Sequence, residues 1–344
     1  MSSPALPSAL VVVGASAGGV EALRALVAGL PVDLDAAVLV VLHVPREGSS
    51  ALPQILNRCG TLPVTHAVDG DPLVRGQVLV APTDHHLIVS DGQVRLSHGP
   101  AENGHRPAVD PLFRSAARAW RERTIAVVLS GTRDDGTSGA VAVADLGGTV
   151  IVQDSDDALY PSMPRSAHEH VSTALALPAP AMGESIQKAV AALGPAEEPE
   201  PRSGTDLLAW ETAIATMADI TTDESNAIPA GFGCPTCHGA LFELPGLPAP
   251  RFRCRVGHAW TAESLIGEQS AALEGALWMA LRSLEEKASL SRRMAVAARE
   301  RGNTMAAARF DATGLDTEQA GHLIRRLIGR LGGVIDLPHP DGTP

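Results

Sequence analysis

The first 193 residues alternate short apolar runs with segments of helical spacing, and this alternation limits the possible folds more than any other feature. The runs at 10–13, 37–44 and 124–129 are almost wholly apolar, which is typical of strands covered on both faces. Helical spacing follows at 18–29 and elsewhere. The pattern predicts an α/β fold with a doubly wound, mainly parallel sheet and helices on both faces. Asp91-Gly92 predicts an added antiparallel hairpin.

Charge and hydropathy exclude several classes of partner. The chain has 27 Lys and Arg against 39 Asp and Glu, a formal net charge of −12. This acidic balance argues against nucleic acid and against an anionic membrane surface as the main partner. No apolar stretch approaches the roughly 20 residues of a membrane-spanning helix, and the start lacks the basic region of a signal peptide. We therefore expect a cytoplasmic protein without direct membrane insertion.

The chain changes character after residue 193. Residues 194–205 are rich in Pro and Glu and predict a linker between a first domain, 1–193, and a region covering 206–344. That region contains a small Cys-rich ribbon at about 228–260. Helices are predicted at 262–300 and 316–331, and they are expected to pair as a hairpin. The first carries a helical apolar stripe formed by Leu273, Leu277, Leu281, Leu284 and Ala288.

A Gly-rich segment, residues 14–19 (GASAGG), lies between the first predicted strand and the first helix. A nucleophile turn of the type G-x-S-x-G would expose Ser16 there. A dinucleotide loop is the second interpretation, but it requires Gly where Ser16 stands. A dehydrogenase with such a loop would also need a Lys four residues after its Tyr, but the residue four positions after Tyr160 is Pro164. A Gly-rich turn without chemistry is the third interpretation, and the motif alone leaves it open.

The positions of polar residues at strand ends favour the nucleophile turn. Ser16 follows the first predicted strand, His43 ends the second, and Asp134 and Asp135 follow the strand at 124–129. Residues just past the carboxyl ends of parallel strands share one crevice. A serine hydroxyl needs a base to take its proton, and an imidazole needs a carboxylate to orient it and to stabilise its cation. The sequence therefore predicts a Ser-His-Asp site.

The first domain resembles the catalytic domain of the CheB-type chemotaxis methylesterases. The resemblance covers nearly all of residues 9–193 and is carried, in order, by VVVGASAGGVEAL, LVVLHVP, LVAPTDHHL, VDPLFRSAA, VVLSGTRDDGTSG and VIVQDSDDALYPSMPRSA. It implies a cofactor-free esterase that removes methyl esters from glutamyl residues of chemoreceptor signalling helices, and that in many members deamidates glutamines. It also implies that Ser16 is the nucleophile, His43 the base and Asp135 the orienting acid, since the acid precedes the closing glycine of its motif, here Gly136.

Two departures from this family keep other functions open. Thr132-Arg133 stand where the family usually has Met-Gly in the loop that carries the acid. Only about eight residues precede the first strand, so we expect no phosphorylated receiver domain to regulate the chain in cis. The alternatives are a signalling adaptor with weak or no activity and a hydrolase of a different ester or amide.

Three cysteines and one histidine of the second region have the spacing of a metal site. Cys234, Cys237, Cys254 and His258 follow the pattern C-x2-C-x16-C-x3-H, which is typical of a structural zinc site with a closed ligand set. A redox CxxC pair and a relic without metal are the alternatives, and His238 is a possible alternate ligand. The ribbon and helices resemble tails found after the esterase domain in some single-domain CheB-like proteins.

Overall fold

The computed structural model describes residues 6–48, 50–194, 207–217, 228–244 and 249–331. The chain forms two compact units, Met1–Leu265 and Ile266–Pro344. The first unit contains both the α/β layers and the Cys-rich ribbon. The predicted linker lies outside the described residues apart from Gly194, so the predicted domain boundaries stay a prediction.

A seven-stranded sheet, parallel throughout, forms the centre of the first unit, as the alternation of apolar runs predicts. Its first strands are β1 (Ala9–Ala15), β2 (Ala36–Leu42), β3 (Val64–His66) and β4 (Val78–Val80). The predicted hairpin, β5 (His86–Ser90) and β6 (Gln93–Ser97), forms beside the sheet. The sheet continues with β7 (Thr124–Val128), β8 (Thr149–Gln153) and β9 (Leu175–Leu177), in the order β3-β4-β2-β1-β7-β8-β9.

Helices cover both faces of this sheet. Alternate side chains of β1 enter different cores: Leu10 and Val12 lie in one, Val11 and Val13 in the other. The first core is closed by α3 (Val109–Trp120), α4 (Thr137–Asp145) and α5 (Ser162–His170). The second is closed by α1 (Gly19–Ala28), α2 (Leu52–Leu56) and α6 (Ala179–Leu193). The doubly wound arrangement is therefore confirmed.

The ribbon is a four-stranded antiparallel sheet that follows α7 (Leu207–Ala215). Its strands are β10 (Ile228–Gly233), β11 (Ala240–Glu243), β12 (Arg251–Cys254) and β13 (Ala259–Thr261). A small core of Leu241, Phe252 and Trp260 packs with two of the cysteines. Backbone hydrogen bonds also join β13 to the α/β layers, since Asn103 N donates to Ala259 O at 2.8 Å.

The described part of the second unit consists of most of α8 (Ala262–Glu300) together with α9 (Thr304–Leu331). The two form a hairpin whose contact is lined by small residues, since Gly314 faces Ser291 and Gly321 faces Leu281. The predicted apolar stripe is only partly buried: Leu281 and Ala288 are enclosed, whereas Leu273 is 49% exposed. The helix predicted at 316–331 begins earlier, at Thr304. None of the described helices combines the length and hydropathy needed to cross a bilayer.

Candidate active site

Ser16 lies in the tight turn between β1 and α1. Its amide donates to Ser130 O at 2.9 Å, and its carbonyl accepts from Gly19 N at 2.9 Å. Gly18 has a φ of 70°, which an L side chain rarely adopts, and it allows the chain to enter α1 directly after the serine. Gly131 passes so close that a Cβ there would lie 2.9 Å from the Ser16 Cβ. The turn therefore presents the serine hydroxyl at the carboxyl edge of the sheet.

His43 follows β2 and joins the serine to Asp135. Its Nδ1 lies 3.1 Å from Ser16 Oγ, and its Nε2 lies 2.7 Å from Asp135 Oδ2. The side chains of the histidine and the aspartate are 5% and 2% exposed. With the proton on Nε2, the imidazole donates to the carboxylate and leaves Nδ1 free to accept from the hydroxyl. The structure thus brings together all three residues singled out in the sequence.

Asp135 is surrounded by hydrogen-bond donors. Its carboxylate accepts from Val109 N at 2.7 Å, from Asp110 N at 3.3 Å and from Asn103 Nδ2 at 2.9 Å, in addition to His43. Burial alone would raise the pKa of this carboxyl, but the hydrogen bond and charge of His43 and the amide of Val109 outweigh it and hold the pKa well below its usual range. The group therefore remains a carboxylate that orients the imidazole.

The neighbouring Asp134 has different partners. Its Oδ1 accepts from the hydroxyls of Thr261 and Ser264, each at 2.7 Å. Burial raises the pKa of this carboxyl, and the two hydroxyl donors oppose the rise. Position in the sequence could not separate Asp134 from Asp135 without the family resemblance. The structure separates them, because only Asp135 contacts the imidazole.

Two further residues of the site, Asn103 and His105, were not singled out in the sequence. The His105 ring stacks on the ring of His43, with centroids 3.7 Å apart and an interplanar angle of 10°. Asn103 is 2% exposed and donates a hydrogen bond to the Asp135 carboxylate. The polar run that carries both lies in a turn ahead of α3, where neither periodicity nor a motif marks a role. Nearby, burial and then the charge of Asp135 raise the pKa of Asp110 to about 7.

The four residues predicted to bind metal come together in the ribbon. The ligand atoms of Cys234, Cys237, Cys254 and His258 all lie within 4.8 Å of one another. Cys237 Sγ is 3.6 Å from Cys254 Sγ, which in turn is 3.5 Å from His258 Nδ1. A tetrahedral zinc with bonds of about 2.3 Å to sulfur would separate its thiolates by about 3.8 Å. The residues therefore fit zinc, and the thiols are too far apart for a disulfide.

The surroundings of the cluster fit a metal as well. Burial and the negative charge of Cys234 raise the pKa of the Cys254 thiol to about 12, a cost that a bound divalent cation would remove. Trp260 Nε1 donates to Cys234 Sγ at 3.4 Å, as outer donors to metal-bound thiolates do. His238, the alternate ligand considered from the sequence, is exposed and stands outside the cluster.

A doubly wound parallel sheet with a serine, a histidine and an aspartate linked at its carboxyl edge defines an α/β protein equipped for acyl transfer. The chain belongs to the CheB methylesterase family, whose model matches residues 11–186. The resemblance drawn from the sequence blocks is thus confirmed.

Several known proteins are similar over this region. A protein-glutamate methylesterase/protein-glutamine glutaminase of Symbiobacterium thermophilum is 39% identical over 186 residues, which are 54% of this chain and 51% of the relative. One of Caulobacter vibrioides is 40% identical over 168 residues, 47% of this chain and 48% of the relative. The crystal structure of the Thermotoga maritima CheB methylesterase catalytic domain is similar as well, with 35% sequence identity and a TM-score of 0.50. That match covers 52% of this chain and 97% of the Thermotoga chain. The chain thus spans about half the length of the curated relatives it matches.

Proposed function

We propose that the chain hydrolyses methyl esters of glutamyl side chains on chemoreceptor-like signalling helices. The observation that carries this proposal is the continuous hydrogen-bond chain from Ser16 Oγ through His43 to Asp135. The names of the similar proteins support the choice of a glutamyl ester as substrate. The same site would deamidate glutamine, because an amide differs from the ester only in its leaving group. This substrate assigns the protein to the cytoplasm, where receptor signalling helices lie.

The first half of the reaction would acylate the serine. Ser16 Oγ attacks the γ-carbonyl carbon while His43 Nδ1 takes the hydroxyl proton. Asp135 stabilises the imidazolium through the bond at Nε2. The N-terminus of α1, which begins three residues after the serine, faces the developing oxyanion with its partial positive charge. The bond to the methoxy oxygen then breaks, and the imidazolium gives that oxygen its proton, so that methanol leaves.

The second half would restore the enzyme. Water attacks the acyl carbon, and His43 takes one of its protons. The bond to Ser16 Oγ breaks, the serine regains a proton from the imidazolium, and a glutamyl carboxyl group is released. Deamidation follows the same course with ammonia as the first leaving group. Neither half requires a metal or a cofactor.

We further propose that the Cys3His cluster binds a structural Zn²⁺. All four ligands come from the protein, which leaves no open position for substrate. The ion, when bound, supplies folding energy to a ribbon whose own core is small. Cys234 and Cys237 would hold it from the turn after β10, and Cys254 and His258 from the turn between β12 and β13.

The test is methanol release from methylated cytoplasmic fragments of a chemoreceptor. We expect release by the wild-type chain and its loss in Ser16→Ala, by about 10³-fold or more. Ser172→Ala is the matched control, because this exposed serine lies outside the site and its loss should leave the rate unchanged. A fluorophosphonate probe should label the wild type and the control but not Ser16→Ala.

Two results would point elsewhere. Probe labelling at Ser16 without methanol release would indicate a hydrolase of another ester or amide. Failure of both would favour the signalling adaptor, in which the fold is kept and the helical region acts on a partner.

A further inference from the structure

Asn103 lies between the catalytic carboxylate and the Cys-rich ribbon. Its Nδ2 donates to Asp135 Oδ1 at 2.9 Å and also lies 3.2 Å from Asp110 Oδ2. Its Oδ1 accepts from the backbone amide of Thr261 at 2.9 Å. The residue is 2% exposed. One side chain therefore connects Asp135, in the loop between β7 and α4, to Thr261, the last residue of β13.

The backbone of Asn103 is also held by the ribbon. Its amide donates to Ala259 O at 2.8 Å, and the Ala259 amide donates to Ala101 O at 3.3 Å. Residues 101–103 thus pair with β13, with a parallel bridge between Glu102 and Ala259. The φ of Asn103 is 51°, a left-handed conformation that asparagine adopts more readily than most residues. The ribbon therefore determines where the carboxamide points.

A second set of bonds ties the ribbon to the same acid loop. The hydroxyls of Thr261 and Ser264 donate to Asp134, the residue before the catalytic acid. Thr261 Oγ1 also accepts from Ser264 N at 3.2 Å, so it caps the first turn of α8. Both aspartates of the loop are buried and contact either the ribbon or a residue fixed by it. Movement of β13 would displace the loop.

We propose that Asn103 is a positioning residue for the catalytic triad and that the ribbon, through Asn103 and Thr261, is part of the framework of the active site. This inference rests on the proposed esterase mechanism. Without the carboxamide, Asp135 keeps the hydrogen bonds from the first backbone N–H groups of α3 but loses the side-chain donor at Oδ1. The carboxylate can then rotate away from His43. The rate of the chemical step would fall, whereas the affinity for substrate would stay the same.

The main test is Asn103→Gly in the full chain. Glycine removes the side chain and accepts the positive φ without strain, which alanine would not. We expect kcat per active site to fall about 10-fold or more, while KM stays within about twofold. Active sites are counted by exhaustive fluorophosphonate labelling of Ser16, which removes any contribution from unfolded chains. Asn57→Ala is the matched control, because its side chain bridges the backbone of Val64 elsewhere in this unit.

A double-mutant cycle distinguishes positioning from general stabilisation. If Asn103 acts through Asp135, then Asn103→Gly should change kcat by less than about twofold in an Asp135→Ala background. Hydrolysis of p-nitrophenyl acetate at Ser16 is the readout, because an activated ester keeps the slow variants measurable. An equal loss in both backgrounds, or wild-type kcat in Asn103→Gly, would overturn the proposed role of Asn103.

The ribbon's own contribution is tested by the double variant Thr261→Val with Ser264→Ala. It removes both hydroxyl donors to Asp134 and leaves the Cys3His residues in place. We expect a lower kcat per labelled site on the same activated ester. An unchanged kcat would overturn the proposal that the ribbon is part of the framework of the active site. Failure of the proposed function gives a different result. The wild type would then release no methanol from receptor fragments, but the kcat values of these variants on the activated ester could still be compared.

Discussion

The imidazole of His105 lies flat on that of His43, with ring centroids 3.7 Å apart. Burial, and then the charge of His43, lower the pKa of His105 to about 3. The stacked ring is therefore neutral at neutral pH. It covers one face of the His43 ring, and because it is neutral it places no second positive charge against the imidazolium that the proposed mechanism forms there.

The depressed pKa of His105 predicts a loss of stability in acid. An exposed histidine titrates near 6.5, so between about pH 6.5 and about pH 3 the unfolded chain binds a proton that the folded chain does not. Stability is then lost as the pH falls through this window, by about 2 kcal/mol at pH 5 from this residue. In His105→Gln the loss between pH 7 and pH 5 should be smaller, as measured by urea unfolding.

The same experiment contains its control. Above pH 7 His105 is neutral in both states, so wild type and variant should show the same dependence on pH there. An equal acid sensitivity below pH 6.5 would contradict the assignment.

Gly131 should tolerate no side chain. A Cβ at this position would lie 2.0 Å from Met163 Sδ and 2.9 Å from the Ser16 Cβ. The methionine can shift, but Ser16, the proposed nucleophile, would be displaced with it, so Gly131→Ala should lower kcat by about 10²-fold. Gly275→Ala is the control, because nothing lies within 4 Å of a Cβ there and alanine favours the helix. Comparable kcat values for the two variants would be inconsistent with this packing.

The sheet and the three linked side chains were predictable because each depends on local pattern and on one rule of topology. Apolar runs marked β1, β2 and β7, and the shared edge of parallel strands brought Ser16, His43 and the acid loop together. The short edge strand β9 was missed because Leu175 is 50% exposed and no buried run marks it.

The polar framework behind the site was not predictable in this way. Asn103 and Thr261 meet across 158 residues of sequence, and neither stands in a periodic pattern. The early start of α9 was missed for a related reason: its buried positions there are Ala307 and Gly314, which give close helix contact but no large apolar stripe. Contacts between small or polar residues depend on tertiary structure that sequence spacing does not report.

Loss of a ligand of the Cys3His cluster should remove the metal and destabilise the ribbon, whereas loss of Cys59 should not change the zinc content. We expect about one zinc per chain in purified wild type, and none in Cys254→Ala, because three remaining ligands bind far more weakly. Cys59→Ala is the matched control, since this thiol donates to Ile55 O in the α/β layers and lies outside the cluster. Metal analysis and the midpoint of thermal unfolding are the measurements. Equal zinc content in the two variants would exclude the Cys3His site.

A buried group of five charges joins the ribbon to the α/β layers, and it should be sensitive to loss of a single charge. Glu102 accepts from Arg114 at 2.7 and 2.8 Å and from Arg253 at 3.1 Å. Glu211 accepts from Arg253 at 2.9 Å and forms an ion pair with Arg251 at 2.9 Å. None of the five side chains is more than 4% exposed.

Three buried guanidinium groups are therefore neutralised only in part by the two carboxylates of this group. Glu211→Gln keeps the shape of the side chain but leaves one carboxylate, Glu102, for all three cations, which should cost about 3–5 kcal/mol of the free energy of unfolding. Glu318→Gln, which removes an exposed pair with Arg292, should cost about 0–1 kcal/mol. Urea unfolding of the full chain measures both. Similar costs would mean that water enters the cluster and screens the charges as it does at the surface.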